Sequence, residues 1–89
     1  MKELHYSTKA KKDLKKFRNI PYKMQAFYEV IGLLLRGEEV PMRYLPHKLL
    51  GKYRDCMECH IGSDFLLIWV DRYDKSIYIV RIGSHSELF

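Results

Sequence analysis

Four side chains are able to move protons near neutral pH and are spaced widely along the chain: His47, His60, Asp64 and His85. Histidine can act as acid or base because its charge changes close to neutrality. Cleavage of an RNA phosphodiester needs both roles. One group takes the proton of the 2′-OH, and another gives a proton to the departing 5′ oxygen. A cation must also stabilise the charge that builds on the phosphoryl oxygens, and Arg81 or Arg54 could supply it. Four histidines in 89 residues could equally be scattered polar groups, so the site stands or falls on whether the fold brings them together.

The stretch Glu58-Cys59-His60-Ile61-Gly62-Ser63-Asp64-Phe65-Leu66-Leu67-Ile68-Trp69 is the one that would position them. It reads as the end of one strand, a tight turn and a second strand that is apolar throughout, as a strand covered on both faces should be. Gly62-Ser63 suits a two-residue type II′ turn. That turn would pair Ile61 with Asp64 and His60 with Phe65, leaving His60 and Asp64 on opposite faces. They converge only if the turn is wider, or if Asp64 reaches around the end of the sheet. Cys56-x-x-Cys59-His60 also matches a haem-attachment pattern and contains a zinc-like pair. Strand alternation puts the two cysteines on opposite faces, and a covalent haem would need export, for which Met1-Lys2-Glu3-Leu4-His5 offers no signal. Both cysteines are therefore expected to be small, buried and reduced, and neither a metal nor a cofactor is expected.

The remaining elements follow from periodicity. Residues 3–6 suit a short strand, and Ser7 or Thr8 can cap the helix that follows. Ala10, Leu14 and Phe17 form its apolar stripe, with lysines elsewhere. Pro21 opens a second helix in which Met24, Phe27, Tyr28, Ile31, Leu34 and Leu35 keep helical spacing, and Gly37 ends it. Residues 38–51, with Pro41 and Pro46, suit a loop that contains His47. Residues 53–61 can alternate as a strand with Arg54, Cys56, Glu58 and His60 on one face. Residues 71–75 reverse the chain. Residues 76–82 form a further strand, with Tyr78, Val80 and Ile82 on one side and Ile77, Ile79 and Arg81 on the other, and 83–89 is a tail. The order β-α-α-β-β-β predicts a single α+β domain over 1–89, a two-helix hairpin on one face of a small antiparallel sheet. Arg54, Glu58, His60 and Arg81 suit the other, partly open face.

Net charge is +5, and the excess is local: the first 23 residues carry eight basic and two acidic side chains. A basic helix of this kind fits phosphate backbones or an acidic protein, and equally a solvated face. No apolar run is long enough to cross a membrane, which points to a cytoplasmic protein.

His47-x-Leu49-x-Gly51, Glu58-Cys59-His60-Ile61, Asp64-x-Leu66-Leu67-Ile68 and the ending Val80-Arg81-Ile82-Gly83-Ser84-His85-Ser86-Glu87-Leu88-Phe89 together resemble the YafQ-type toxins of the RelE/ParE superfamily. The likeness covers most of residues 47–89, while the helical half matches only in pattern. It implies a RelE-like fold and the toxin of a bacterial type II toxin–antitoxin pair. Such a toxin is a metal-independent endoribonuclease that cuts messenger RNA in the ribosomal 30S A site, leaving a 2′,3′-cyclic phosphate. The partners implied are a cognate antitoxin, mRNA and the ribosome. Carried over by position, His47, His60, Asp64 and His85 become catalytic, with His60 and His85 favoured as the proton-transfer pair. Arg81, Arg54, Phe65, Phe89 and the helical Lys11, Lys12 and Lys15 become RNA contacts. Met57 departs from the family pattern, which often has a basic residue there. A gyrase-inhibiting toxin of the ParE type, or a non-catalytic RNA- or protein-binding module, is the alternative.

Overall fold

The structure is a computed structural model that describes every residue except Tyr73. Strand β1 (Glu3–Tyr6) leads into helices α1 (Thr8–Phe17) and α2 (Pro21–Leu35). Strands β2 (His47–Lys48), β3 (Met57–Gly62), β4 (Phe65–Asp71) and β5 (Ser76–Gly83) follow, and a short helix α3 (His85–Leu88) ends the described chain. The strands make one sheet in the order β1-β5-β4-β3-β2. β2 to β5 are antiparallel neighbours, but β1 lies parallel to β5, so the sheet is mixed. The expected chain reversal over 71–75 includes Tyr73 and so lies partly outside the described residues.

The two long helices pack on one face. Ala10, Phe17, Phe27, Val30, Ile31 and Leu34 meet Cys59, Ile61, Phe65, Leu67, Trp69, Ile77, Ile79 and Ile82 of the sheet in one core. Burial of this apolar surface is the main force holding helices to sheet. Tyr28, expected in the α2 stripe, is instead 60% exposed. Ser7 is the cap of α1: its Oγ accepts from Ala10 N at 2.9 Å and donates to the Val80 carbonyl at 2.6 Å. α2 has Pro21 in its first turn and stops where Gly37 takes φ +72°, a left-handed turn that glycine enters at little cost.

A smaller cluster occupies the other face, where Tyr53, Cys56, Leu66, Ile68 and Leu88 are buried together. Two irregularities set which residues reach it. Opposite β4 the register of β5 shifts so that Ile68 faces Arg81 and Trp69 faces Ile79, leaving Val80 as the extra residue. This bulge overturns the strict alternation expected for 76–82. Ile77, Ile79 and Ile82 all enter the helix-side core, and Arg81 turns to the open face. Asp55, at φ +70°, kinks the chain ahead of β3. Strand β3 therefore starts at Met57 rather than 53, and Tyr53 joins the open face although alternation put it opposite Glu58.

Candidate active site on the open face of the sheet

Strand pairing assembles the site in rows. His47 stands opposite Glu58, Glu58 opposite Ile68, and Ile68 opposite Arg81. The next row holds His60, Leu66 and Gly83. At two strand spacings, His60 and Gly83 lie about 10 Å apart, and His85 follows Gly83 by two residues. His47 thus belongs to a two-residue edge strand rather than to a loop. Its ring lies 6.2 Å from that of His60.

The β3–β4 turn is wider than a strict type II′ turn. Gly62 pairs with Phe65, and the register slips at Ile61, so Asp64 sits in the turn itself. From there it reaches around the end of the sheet, and its Oδ1 accepts from His85 N at 2.9 Å. Helix α3, expected only as a tail, is closed by a capping box. The Ser84 hydroxyl accepts from Glu87 N, and the Glu87 carboxylate accepts from Ser84 N. These bonds, with Lys16 alongside, hold the Glu87 carboxyl below the usual carboxylate range. The His85 ring lies 5.0 Å from Phe89, which stands edge-on to Tyr53 at 5.5 Å. Tyr53 donates to the Leu88 carbonyl at 3.3 Å. Asp64 therefore anchors the first residue of α3 and Tyr53 the last, which fixes His85 and Phe89 over the same open face.

His47 has an acceptor at each nitrogen. Nδ1 lies 2.8 Å from the Leu45 carbonyl and Nε2 lies 3.1 Å from Glu58 Oε1. A carbonyl can only accept, so Nδ1 carries a proton. The Nε2–Glu58 contact is an ion pair when the imidazole is protonated. Leu45 takes the left-handed conformation, φ +53°, to present that carbonyl, a costly choice for a leucine. The Glu58 side chain is 6% exposed, and among the described residues its Oε2 has no hydrogen-bond partner. A buried carboxylate half-satisfied by a histidine is expensive unless it has a use.

The remaining expected RNA contacts divide. Phe89 is 54% exposed and Arg54, Lys11, Lys12 and Lys15 are exposed, as contacts require. Phe65 is only 2% exposed and packs edge-on against Phe17 at 4.6 Å, so it offers a base no stacking face. Arg81 is committed elsewhere. Its Nε and Nη2 donate to Asp13 at 2.7 and 3.0 Å, and the Ile82 N–H donates to the same carboxylate at 3.0 Å. The Asp13 carboxylate beside it pushes the Arg81 guanidinium further up from its already high range, so Arg81 is a fixed cation rather than a swinging one. Cys56 and Cys59 fall in the open-face and helix-side clusters respectively, and among the described residues no group of three or more His, Cys, Asp or Glu side chains is set to hold a metal ion.

A family profile described as "Bacterial toxin of type II toxin-antitoxin system, YafQ" matches residues 2–89. The chain belongs to the YafQ toxin family. It is 27% identical to the "mRNA interferase toxin YafQ" of Escherichia coli K12, over 99% of this chain and 96% of that one. The fold overlays the metal-bound toxin from Helicobacter pylori with a TM-score of 0.88 at 34% identity, covering both chains in full. It overlays the toxin of the E. coli DinJ–YafQ complex with a TM-score of 0.85 at 26% identity, over 100% of this chain and 99% of that one. For a YafQ-family chain, two residues of this site escape a search for histidines, Glu58 and Tyr53. Strand alternation put Glu58 on the open face with His60, but nothing local showed that His47 would pair with it. Tyr53 had no local signal, because its placement depends on the kink at Asp55.

Proposed function

We propose that the chain is the toxin of a type II toxin–antitoxin pair and an endoribonuclease that cuts messenger RNA in the ribosomal A site, working in the cytoplasm as one domain over residues 1–89. Membership of the YafQ family supports the toxin role, and the relative named an mRNA interferase supports the activity. The toxin crystallised with DinJ supports a cognate antitoxin as partner. No helix among the described residues is long and apolar enough to cross a membrane.

The observation that carries the chemistry is that His47, in contact with Glu58 at 3.1 Å, lies 6.2 Å ring to ring from His60, while Asp64 anchors His85 at the end of the same sheet. In this reading His60 with His47 forms the acid side and His85 the base side. His85 removes the 2′-OH proton, and the 2′ oxygen bonds to phosphorus. The bond from phosphorus to the 5′ oxygen then breaks, and that oxygen takes a proton from the His60–His47 side. The products are a 2′,3′-cyclic phosphate and a 5′-OH, with no water consumed. Phe89 offers a face to a base, while the Arg81 charge, paired with Asp13, holds the strand rather than the phosphate.

Expression in bacteria with mapping of transcript ends tests the proposal. Cuts inside translated codons that vanish with His85→Ala are the expected outcome. DNA damage without such cuts would instead indicate a gyrase-directed toxin.

A further inference from the structure

A cavity of about 310 Å³ opens at the same end of the sheet, between the first turn of α2 and the β3–β4 turn. It lies at the small end of the range for ligand sites, roughly 300–1,000 Å³. Its wall on the catalytic side is made by Asp64 and Ser84, the two residues that anchor and cap α3. Its floor is apolar, from Ile61 and Phe65. At its mouth stands the ring of Tyr22, 72% exposed although large and aromatic. Beside it the Lys23 ammonium is held over two rings, 5.0 Å from Phe17 and 5.4 Å from Phe65, so its charge is placed rather than free to wander. The turn residues Gly62, Ser63 and Asp64 are exposed and present polar edges along the rim.

We propose that this cavity is a subsite for one nucleobase of the RNA, on a nucleotide flanking the cut. Tyr22 provides the stacking face and Lys23 holds a neighbouring phosphate. The inference rests on the ribonuclease reading above. An aromatic face, an apolar floor, a polar rim and a fixed cation are the four features with which proteins hold a single-stranded nucleotide. The shared Asp64 wall makes the cavity continuous with the catalytic face, so a strand lying across His60 and His85 passes its mouth. Because the rim carries the Asp64 carboxylate, the cavity favours a base with an amino edge over uracil.

Cleavage of messengers on programmed ribosomes, with each nucleotide around the cut varied in turn, tests this. Tyr22→Ala is expected to raise KM about ten-fold, the loss of one stacked base, and to flatten the preference at one flanking position. Lys23→Met is expected to raise KM with the preference intact. Tyr28→Ala, an exposed aromatic on the same helix outside the cavity, is expected to change neither. If Tyr22→Ala keeps the full nucleotide preference of the parent, or weakens only antitoxin binding, the subsite is refuted while the ribonuclease reading stands. If the parent protein itself leaves every messenger intact, the ribonuclease reading fails and the subsite fails with it.

Discussion

His47 is held at both nitrogens, by the Leu45 carbonyl and by Glu58, so its ring is fixed in orientation beside His60. The proposed direction of the chemistry, with His60 and His47 as acid and His85 as base, can be tested with a substrate carrying a sulfur leaving group at the 5′ position, because thiolate leaves without a general acid. On an ordinary messenger, His60→Ala, His47→Ala and His85→Ala should each slow cleavage by roughly 10²–10⁴-fold, the usual worth of general acid–base catalysis. On the sulfur substrate the first two should recover most of their rate and His85→Ala should not. Recovery by His85→Ala instead would reverse the assignment. Cys59 makes a separate prediction. Burial, and to a lesser extent Glu58, pushes its thiol up to about 12 from an ordinary 9. In the folded protein it stays protonated while the unfolded chain ionises. Its contribution to stability is therefore intact below pH 9 and falls as pH rises from about 9 to 12, by about 1.4 kcal/mol per unit at most. Urea unfolding from pH 8 to 10.5 should show this fall in the parent and a shallower one in Cys59→Ala.

At the level of elements, one buried carboxylate ties α1 to the strand that leads into the site. β1 pairs only with the first half of β5, and beyond it Asp13 takes the Ile82 N–H and both Arg81 donors. Asp13→Ala would leave a part-buried guanidinium and a backbone N–H without their partner. Unfolding in urea should register a loss of roughly 3–5 kcal/mol. A change under 1 kcal/mol would mean that the pair is structurally idle. Ser84→Ala should act locally, costing about 1 kcal/mol and lowering cleavage more than its stability loss explains, because α3 carries His85. Asp13 marks where sequence reading stopped. Helical spacing showed the stripe of Ala10, Leu14 and Phe17, but an acid among lysines reads as surface, and only the gap along β5 makes it core. Likewise, alternation gave the faces of Met57 to His60 correctly, since nothing interrupts that strand. It misplaced Ile82 against Arg81 because a bulge leaves no mark in residue type. The order of elements and the helix caps were legible because Ser7, Pro21 and Gly37 act locally. The parallel pairing of β1 with β5 depends on contacts 73 residues apart, Glu3 with Ser76, which no local signal encodes.

Over the whole molecule, one face of the sheet is covered by the helices and the other carries the proposed site, with lysines of α1 exposed along the side. Binding to ribosomal and messenger phosphates should weaken with salt, each contact adding roughly 0.7–0.9 to the log–log slope. Replacing Lys11, Lys12 and Lys15 by glutamine should flatten that slope without changing where the messenger is cut; an unchanged slope would assign the α1 lysines to solubility alone. The wider account depends on two separate structures, the edge strand with His47 and His60 and the terminal helix with His85, acting as one site. The most direct measurement is the single-turnover cleavage rate of a ribosome-bound messenger for parent, His60→Ala, His85→Ala and the double variant. Groups that serve the same step are strongly non-additive, so the expected result is a double variant scarcely slower than the worse single one. Losses that simply multiply, or a single variant that cuts at the parent rate, would contradict a shared site.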